Sequence, residues 1–450
     1  MEKSKNMMWK VITTNAEKGE YWKERNVIPT EQGCMNLLSM YPHYRRQCMK
    51  GFGGAFTEAA GYCYAKLSPD KKKQFIRDYF TEEGLNYNVG RTHINSCDFS
   101  LGNYAAVTNP EDTDFTSMNL EREKQYILPL IGDAMKAKGE TIDLLLSPWS
   151  PPAFMKTNGE MNHGGKLKPE YRFAWARYIA SYIKKMQEEG LSVRYLTVQN
   201  EPEAVQTWDS CVYHAEEEMA FVRDCLGPVL EQEGLEDIKI LVWDHNKEIV
   251  FDRASSILRD EKAASYIYGI GVHWYTGDHF QGLSMVRETY PDKELFFTEG
   301  CVEYSRFQDS GEVAKGEMYA HDMIGNFNHG VSAFFDWNLM LDAAGGPNHV
   351  GNFCAAPVMA TEDGCSFEKR LSYYYIGHFS RYIKKGAYQV PVTTYCGNLD
   401  VTGFVNPDGE RIMIILNCQE KCIPAVIREN GTGIALDVAP HSIVTVCYHP

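Results

Sequence analysis

"RYLTVQNEPE" (194–203) and "ELFFTEGCVE" (294–303) are two runs of strand-forming residues, and each ends on a glutamate, Glu201 and Glu299. A strand buried on both faces gains nothing from a terminal carboxylate, because burying a charge is costly unless it is paired. Two such carboxylates can work together only in a fold that brings several strand ends to one place.

Working outward, further strand-like runs lie at 49–59, 87–95, 141–149, 238–246, 266–275 and 331–339. Helical patterns stand between the runs. "SPDKKKQFIRDYFTEEG" opens on a Ser-Pro start signal and closes on Gly84. "PEYRFAWARYIASYIKKMQEEG" spaces Phe173, Ala176, Ile179 and Ile183 at helical intervals and closes on Gly190, and "AEEEMAFVRDCLGPVLEQEG" follows the same logic. Repeated strand-then-helix units with apolar, consecutively buried strands predict an α/β fold, a (β/α)8 TIM barrel. From about Gly386 the pattern changes to short strands separated by turns such as Pro407-Asp-Gly and Asn430-Gly-Thr-Gly, the signature of an antiparallel β module. The first 46 residues carry no barrel-type helix. The expected organisation is an N-terminal segment (1–46) adding strands to a β-sandwich, a catalytic barrel (47–384), and the C-terminal part of that sandwich (385–450).

Composition narrows the function. The chain has 450 residues, 44% hydrophobic and 23% charged, which suits a large folded core. Its formal net charge of -15 argues against nucleic acid and anionic membrane as partners. No apolar run reaches 18 residues and the first residues do not read as an export signal, so no integral membrane segment and a cytoplasmic location are expected. The 13 cysteines, among them Cys34, Cys48, Cys63 and Cys97, are scattered, and read as reduced thiols; Cys418 and Cys422 have no histidine spacing to support a metal site. The glycines of "GFGGAF" lack a phosphate-loop lysine, which excludes nucleotide binding by that motif. His93 and His273 are not accompanied by the several ligands a catalytic metal needs, so neither a metal nor another cofactor is expected.

Active sites of such barrels form at the C-terminal ends of the strands. There the sequence places Glu58, Asn95 to Asp98, Trp149, Asn200-Glu201, Asp244-His245, His273-Trp274-Tyr275, Glu299 and Asp336-Trp337-Asn338. Carboxylates and amides bind hydroxyl groups, and indole faces pack on the apolar faces of sugar rings. The fourth and seventh strands face each other across an eight-stranded mouth, so Glu201 and Glu299 form the carboxylate pair of glycoside hydrolysis. A gap of about 5–5.5 Å gives a covalent intermediate and retention, and ~6.5–9.5 Å gives inversion. Glu299 must be ionised to attack, with Arg91 in the same mouth to hold it so. Its charge would then raise Glu201 and keep that group protonated. Arg91 and His273 are counted as supporting residues.

Several stretches together resemble glycoside hydrolase family 30, and most nearly its glucosylceramidase-like branch: "KGFGGAFTEAA", "GLNYNVGRTHINSCDFS", "LLSPWSPPAFMKTNG", "VQNEPEA", "GIGVHWY", "FFTEGC" and "DWNLMLDAAGGPNHVGNF". The resemblance implies a barrel with a β-sandwich built from both chain ends. It implies that Glu201 is the acid/base, Glu299 the nucleophile and Asn200 the amide that bonds the sugar 2-hydroxyl. It further implies that Asp98, Trp149, Trp337 and Asn352 hold the terminal glucose and that Tyr275 stands near the nucleophile. Glu58, His349 and Gly351 depart from the family pattern, and the last two put the leaving-group side in question. The expected protein is a retaining exo-β-glycosidase, first of all a β-glucosidase, acting on a small β-glycoside or oligosaccharide. The alternatives are a β-xylosidase, β-fucosidase or endo-β-glycanase of the same family, or a sugar-binding protein without catalysis.

Overall fold

The computed structural model describes residues 8–31, 36–395 and 397–450; Cys34 lies outside the described residues. Eight parallel strands close into a barrel: β1 (Gly51–Ala55), β2 (Val89–Ile94), β3 (Asp143–Pro148), β4 (Ser192–Thr197), β5 (Lys239–Asn246), β6 (Ile267–His273), β7 (Glu294–Glu299) and β8 (Val331–Asn338). Each lies inside a run expected from the sequence except β4, which begins two residues earlier, at Ser192. The strands form here because their side chains have apolar surroundings on both sides. Every residue of β2 and β8 is buried, and Val89, Leu145, Leu241, Phe296, Ala333 and Phe335 fill the barrel's interior below the mouth.

Helices pack around the strands. The segment after β1 folds as Pro69–Phe80, with Ser68 as its extended cap residue. The helix Arg172–Glu188 buries Trp175, Ala176, Tyr178, Ile179, Tyr182 and Ile183. Phe173, expected on that face, is instead 59% exposed, because it precedes the position at which the buried stripe begins. The third expected helix runs from Ala215 to Gln232 but widens into one π-helical turn at Val222–Leu226, immediately before Pro228. Proline has no N–H to give and its ring crowds the preceding turn, which accounts for the local change of hydrogen-bond step.

The β-sandwich takes strands from both ends of the chain. Its six-stranded sheet runs Tyr388–Val390, Asp400–Val405, Arg411–Asn417, Ser442–Tyr448, Trp9–Asn15, Glu20–Val27, so the first strand of the chain pairs with the last. The five-stranded sheet combines Val392–Thr394, Leu37–Met40, Ile423–Glu429, Thr432–Val438 and Thr30–Glu31. One pairing, Leu37–Met40 with Ile423–Glu429, is parallel, which corrects the purely antiparallel expectation. That pairing brings an N-terminal strand beside a C-terminal one, a relation no hairpin can specify. Trp9 stacks on Tyr448 with ring centres 3.7 Å apart.

Sandwich and barrel are joined by polar contacts as well as apolar ones. Buried His378 of the last barrel helix (Leu371–Ser380) bonds Thr445 and Thr14, both at 2.8 Å, and burial pushes it down to about 3, so it stays neutral. His321, on the helix Glu312–Asn328, contacts Asp400 of the sandwich at 2.7 Å and Asp278 of a barrel loop at 3.2 Å. Those two carboxylates lift it to about 9, with the Asp400 bond the largest cause.

A pKa raised on folding contributes stability that is complete below the unfolded value of about 6.5 and is lost as pH rises through about 9. His321 is 43% exposed, so the contribution is at most about 1 kcal/mol. His321→Asn should therefore melt about 1–2 °C below wild type at pH 6, with the gap closing by pH 10. Melting curves across that range test this, and a gap that widens with pH would refute it.

Candidate active site

At the ends of three strands the pairing register slips by one residue, and these slips build the site. Along β5 and β6, Gly271 pairs with Trp243 and Val272 with His245, so Asp244 is the extra residue. Trp243 and Asp244 take left-handed φ values of 72° and 50°. Along β6 and β7 the skipped residue is Thr298, and along β8 and β1 it is Trp337. Such bulges re-aim side chains that strict alternation would send apart. Consecutive residues, Asp244 with His245 and Thr298 with Glu299, thus both reach the mouth. Gly271 permits the approach: a β-carbon there would come within 3.1 Å of both the Asp244 Cα and the Thr298 hydroxyl.

Arg91, on β2 and fully buried, is the hub. Its Nη1 donates to Glu299 Oε2 at 2.6 Å, and its Nη2 donates to Asn200 Oδ1 at 2.8 Å and to Asp244 Oδ2 at 2.9 Å. Its Nε donates to the Ser147 hydroxyl at 3.1 Å. The guanidinium lies 4.8 Å from the Trp149 ring centre and 5.4 Å from that of Trp337, and these two indoles stack on each other at 5.2 Å. One cation thus links the ends of strands β2, β3, β4, β5 and β7. Tyr275 donates its hydroxyl to the other oxygen of Glu299 at 2.8 Å.

Glu201 follows β4 with a left-handed φ of 46°, and its backbone N–H donates to the Asp244 carbonyl at 3.0 Å. Its Oε1 lies 3.3 Å from His273 Nδ1, whose other ring nitrogen contacts Asp244 Oδ1 at 3.1 Å. Thr298 donates its hydroxyl to the same Asp244 oxygen at 2.6 Å. Asp98, 4% exposed, is held by the amides of Asn348 at 3.2 Å and Asn352 at 3.4 Å.

The charges are arranged differently from the sequence-based expectation. Burial alone would raise Asp244, but Arg91, His273 and Thr298 hold it well below the carboxylate range. Burial alone would lower His273, but the charge of Glu299 and the bonds to Asp244 and Glu201 lift it to about 9. Burial also acts to raise Glu201, yet the His273 bond and the charges of His245 and His273 outweigh it and bring the net shift below the ordinary value. Glu299 is raised by burial and by Glu201, against the pull of His273, Arg91 and Tyr275. The proton expected on Glu201 therefore rests on His273, one hydrogen bond away. Its transfer to Glu201 leaves a neutral His273 that still donates to Asp244. Glu201 and His273 behave as one proton-holding unit.

All ten residues singled out from the sequence fall in or beside this mouth: Arg91, Asp98, Trp149, Asn200, Glu201, His273, Tyr275, Glu299, Trp337 and Asn352. Other rim residues do not join them. Glu58 forms a salt bridge with Arg122 at 2.7 Å, and His93 bonds backbone groups of Glu58 and Asn95. Asp336 bonds Tyr319 and is pushed by burial up to about 8. Thr298 belongs to the site but was not picked out, and Asp244, placed at the rim by the sequence, was given no role there. Buried Asp209, 3.5 Å from His349 beside Asp98, was also missed, while His349 had been noted only as a departure from the family pattern. A lone carboxylate or hydroxyl in a strand carries no sign of a bulge, so only the Asp-His and Thr-Glu adjacencies hinted at them.

Two buried carboxylates with opposite pKa shifts, set in a barrel mouth lined with indoles and amides, fit a glycoside hydrolase. Residues 49–383 match the glycosyl hydrolase family 30 TIM-barrel domain and residues 386–446 the family 30 beta sandwich domain. The chain belongs to glycoside hydrolase family 30, in its glucosylceramidase-like branch. It is 32% identical over 420 residues to the lysosomal acid glucosylceramidase of Mus musculus, covering 90% of this chain and 81% of that protein. The crystal structure of SrfJ from Salmonella typhimurium superposes with a TM-score of 0.96 at 40% identity, covering 99% of this chain and 100% of that one. A solved endo-beta1,6-glucanase superposes with a TM-score of 0.89 at 26% identity, covering 98% and 99%.

Arg91→Met should remove the counter-charge of two buried carboxylates and cost about 3–5 kcal/mol in chemical denaturation. Arg91→Lys keeps a charge but not the fork. It should lose less stability and still lower kcat/KM on an aryl β-glycoside by about 100-fold or more. Near-wild-type turnover in Arg91→Lys would show that the fork is dispensable.

Proposed function

We propose that the protein is a retaining, exo-acting β-glucosidase that works by double displacement. Glu299 attacks the anomeric carbon from below the ring while Glu201, supplied with a proton from its partnership with His273, protonates the departing oxygen. In the second half Glu201 takes a proton from water, which attacks the same carbon and releases the sugar. Asn200, its carbonyl oxygen fixed by Arg91, turns its N–H2 group toward the substrate 2-hydroxyl. Trp149 and Trp337 form the apolar wall for the ring, and Asp98 with Asn352 takes its far hydroxyls. Arg91 keeps the nucleophile's oxygen aimed without a flexible side chain having to be ordered during reaction.

The observation that carries end-on action is the closure around Asp98. Asp98, Trp149 and Trp337 are each no more than 4% exposed, Asn348 is 9% exposed, and the His349 N–H donates to the Asp98 carbonyl at 3.2 Å. A chain running through the site would need that end open. Beside Asn352 opens a cavity of about 630 Å³ lined by Tyr304, Ser305, Gln308, Lys315, Ala343 and Phe353, which we assign to the aglycone. Gly351 leaves it unobstructed, and its mixed lining offers hydrogen bonds from Ser305, Gln308 and Lys315 to a soluble aglycone. The endo-beta1,6-glucanase likeness supports a second reading, cleavage of β-1,6-linked glucose chains.

Glu299→Gln should lower turnover of aryl β-glucoside by at least about 1,000-fold while the protein stays folded, with an unfolding midpoint below wild type because Arg91 loses one of its two counter-charges. Glu201→Gln should lose far more activity on alkyl than on nitrophenyl glucosides, because only the former need a proton on leaving. Wild-type activity in Glu299→Gln would overturn the assignment. On β-1,6-gluco-oligosaccharides, release of glucose alone supports exo action, while longer products early in digestion would overturn it.

A further inference from the structure

We propose that Glu201, His245 and His273 form a binding site for a late first-row divalent cation, zinc above all, and that occupancy switches the glycosidase off. The three side chains come from the C-terminal ends of three consecutive strands, β4, β5 and β6. Their ligand atoms all lie within 4.8 Å of one another. Glu201 Oε1 is 3.3 Å from His273 Nδ1 and 3.7 Å from His245 Nδ1. Ligands on a tetrahedral ion with bonds of about 2.1 Å stand about 3.4 Å apart, so two of the three edges already have the required length.

Two further features point to an ion. His245 Nδ1 is buried and has no hydrogen-bond partner, although it faces a carboxylate. A buried polar atom left unpaired is costly, and this one is aimed at the point the three ligands share. His273 presents Nδ1 to that point while its Nε2 meets Asp244, which is itself fixed by Arg91 and Thr298. A carboxylate behind a ligating imidazole is the arrangement that orients histidine on metals and raises its donor strength. Two imidazoles and one carboxylate suit zinc, copper or nickel and disfavour magnesium and calcium. The glutamate and His245 keep 12% and 13% of their side chains exposed, enough for entry from the mouth and for a water in the fourth position.

The ion would be inhibitory, because the Glu201 oxygen it takes is the one that must carry a proton to the leaving group. That inhibitory half rests on the acid/base role proposed above; the binding half does not. His245 exists in this position because the β5 bulge turns it inward after Asp244. An unbulged strand would present only one of the two.

The test uses the full chain, stripped with EDTA and desalted, and has two readouts. Cobalt(II) is added first, since a site of three protein ligands and one water gives a strong visible band that hydrated cobalt lacks. One equivalent should produce that band and one equivalent of zinc should abolish it. In parallel, zinc should suppress aryl β-glucoside turnover at least about tenfold and EDTA should restore it, and His245→Ala should weaken both effects at least about tenfold. No visible band in the wild type overturns the proposal, as does an unchanged zinc midpoint in His245→Ala. A near-ultraviolet thiolate band in place of the visible one, from exposed Cys365 or Cys422, overturns it as well. A clear band in a protein without glucosidase activity would uphold the site while contradicting the function proposed above.

Discussion

The buried guanidinium of Arg91 is the interaction on which the site depends. Taking an arginine wholly out of water is unfavourable unless its N–H groups find acceptors and the charge is balanced. Here Glu299, Asp244, Asn200 and Ser147 accept four of the five N–H groups, and two carboxylates supply the charge. The same contacts aim Glu299, fix the amide next to Glu201, and anchor the carboxylate that holds His273. Catalytic geometry and local stability are therefore properties of one network, and a change to any member is felt by the others.

The barrel supplies what that network requires. Parallel strands converge at one rim, and slips of register at the ends of β5, β7 and β8 give the rim more inward side chains than alternation allows. The left-handed backbone at Glu201, Trp243 and Asp244 is the local strain that accompanies this. It is sustained because the strands below are packed from both sides, while the sandwich, bonded through His378 and His321, braces the outer helices.

The fold was legible in the sequence because its signals repeat. Each buried strand is apolar at consecutive positions, and each intervening helix carries a 3.6-residue stripe. Glu201 and Glu299 stood out because a charge ending an apolar run is physically anomalous. Thr298 and the role of Asp244 were not legible, since a bulge leaves no local mark, and Phe173 was misplaced because a stripe's edge is set by the neighbouring element. The sharing of a proton between Glu201 and His273 was also hidden. It depends on His273 lying between Asp244 and Glu201, a relation among residues 29 and 72 positions apart. The parallel pairing of Leu37–Met40 in the sandwich has the same origin, in partners nearly 400 residues distant.

The central claim is that Glu299, held by Arg91 and Tyr275, bonds covalently to the sugar. The most direct measurement is mass spectrometry of the enzyme after brief exposure to 2-deoxy-2-fluoroglucosyl fluoride, which forms the glycosyl-enzyme faster than water can release it. Attack by Glu299 predicts a mass increase of one fluoroglucosyl unit, located by peptide fragmentation on Glu299. A label on Glu201 instead, or inactivation without any adduct, would contradict it.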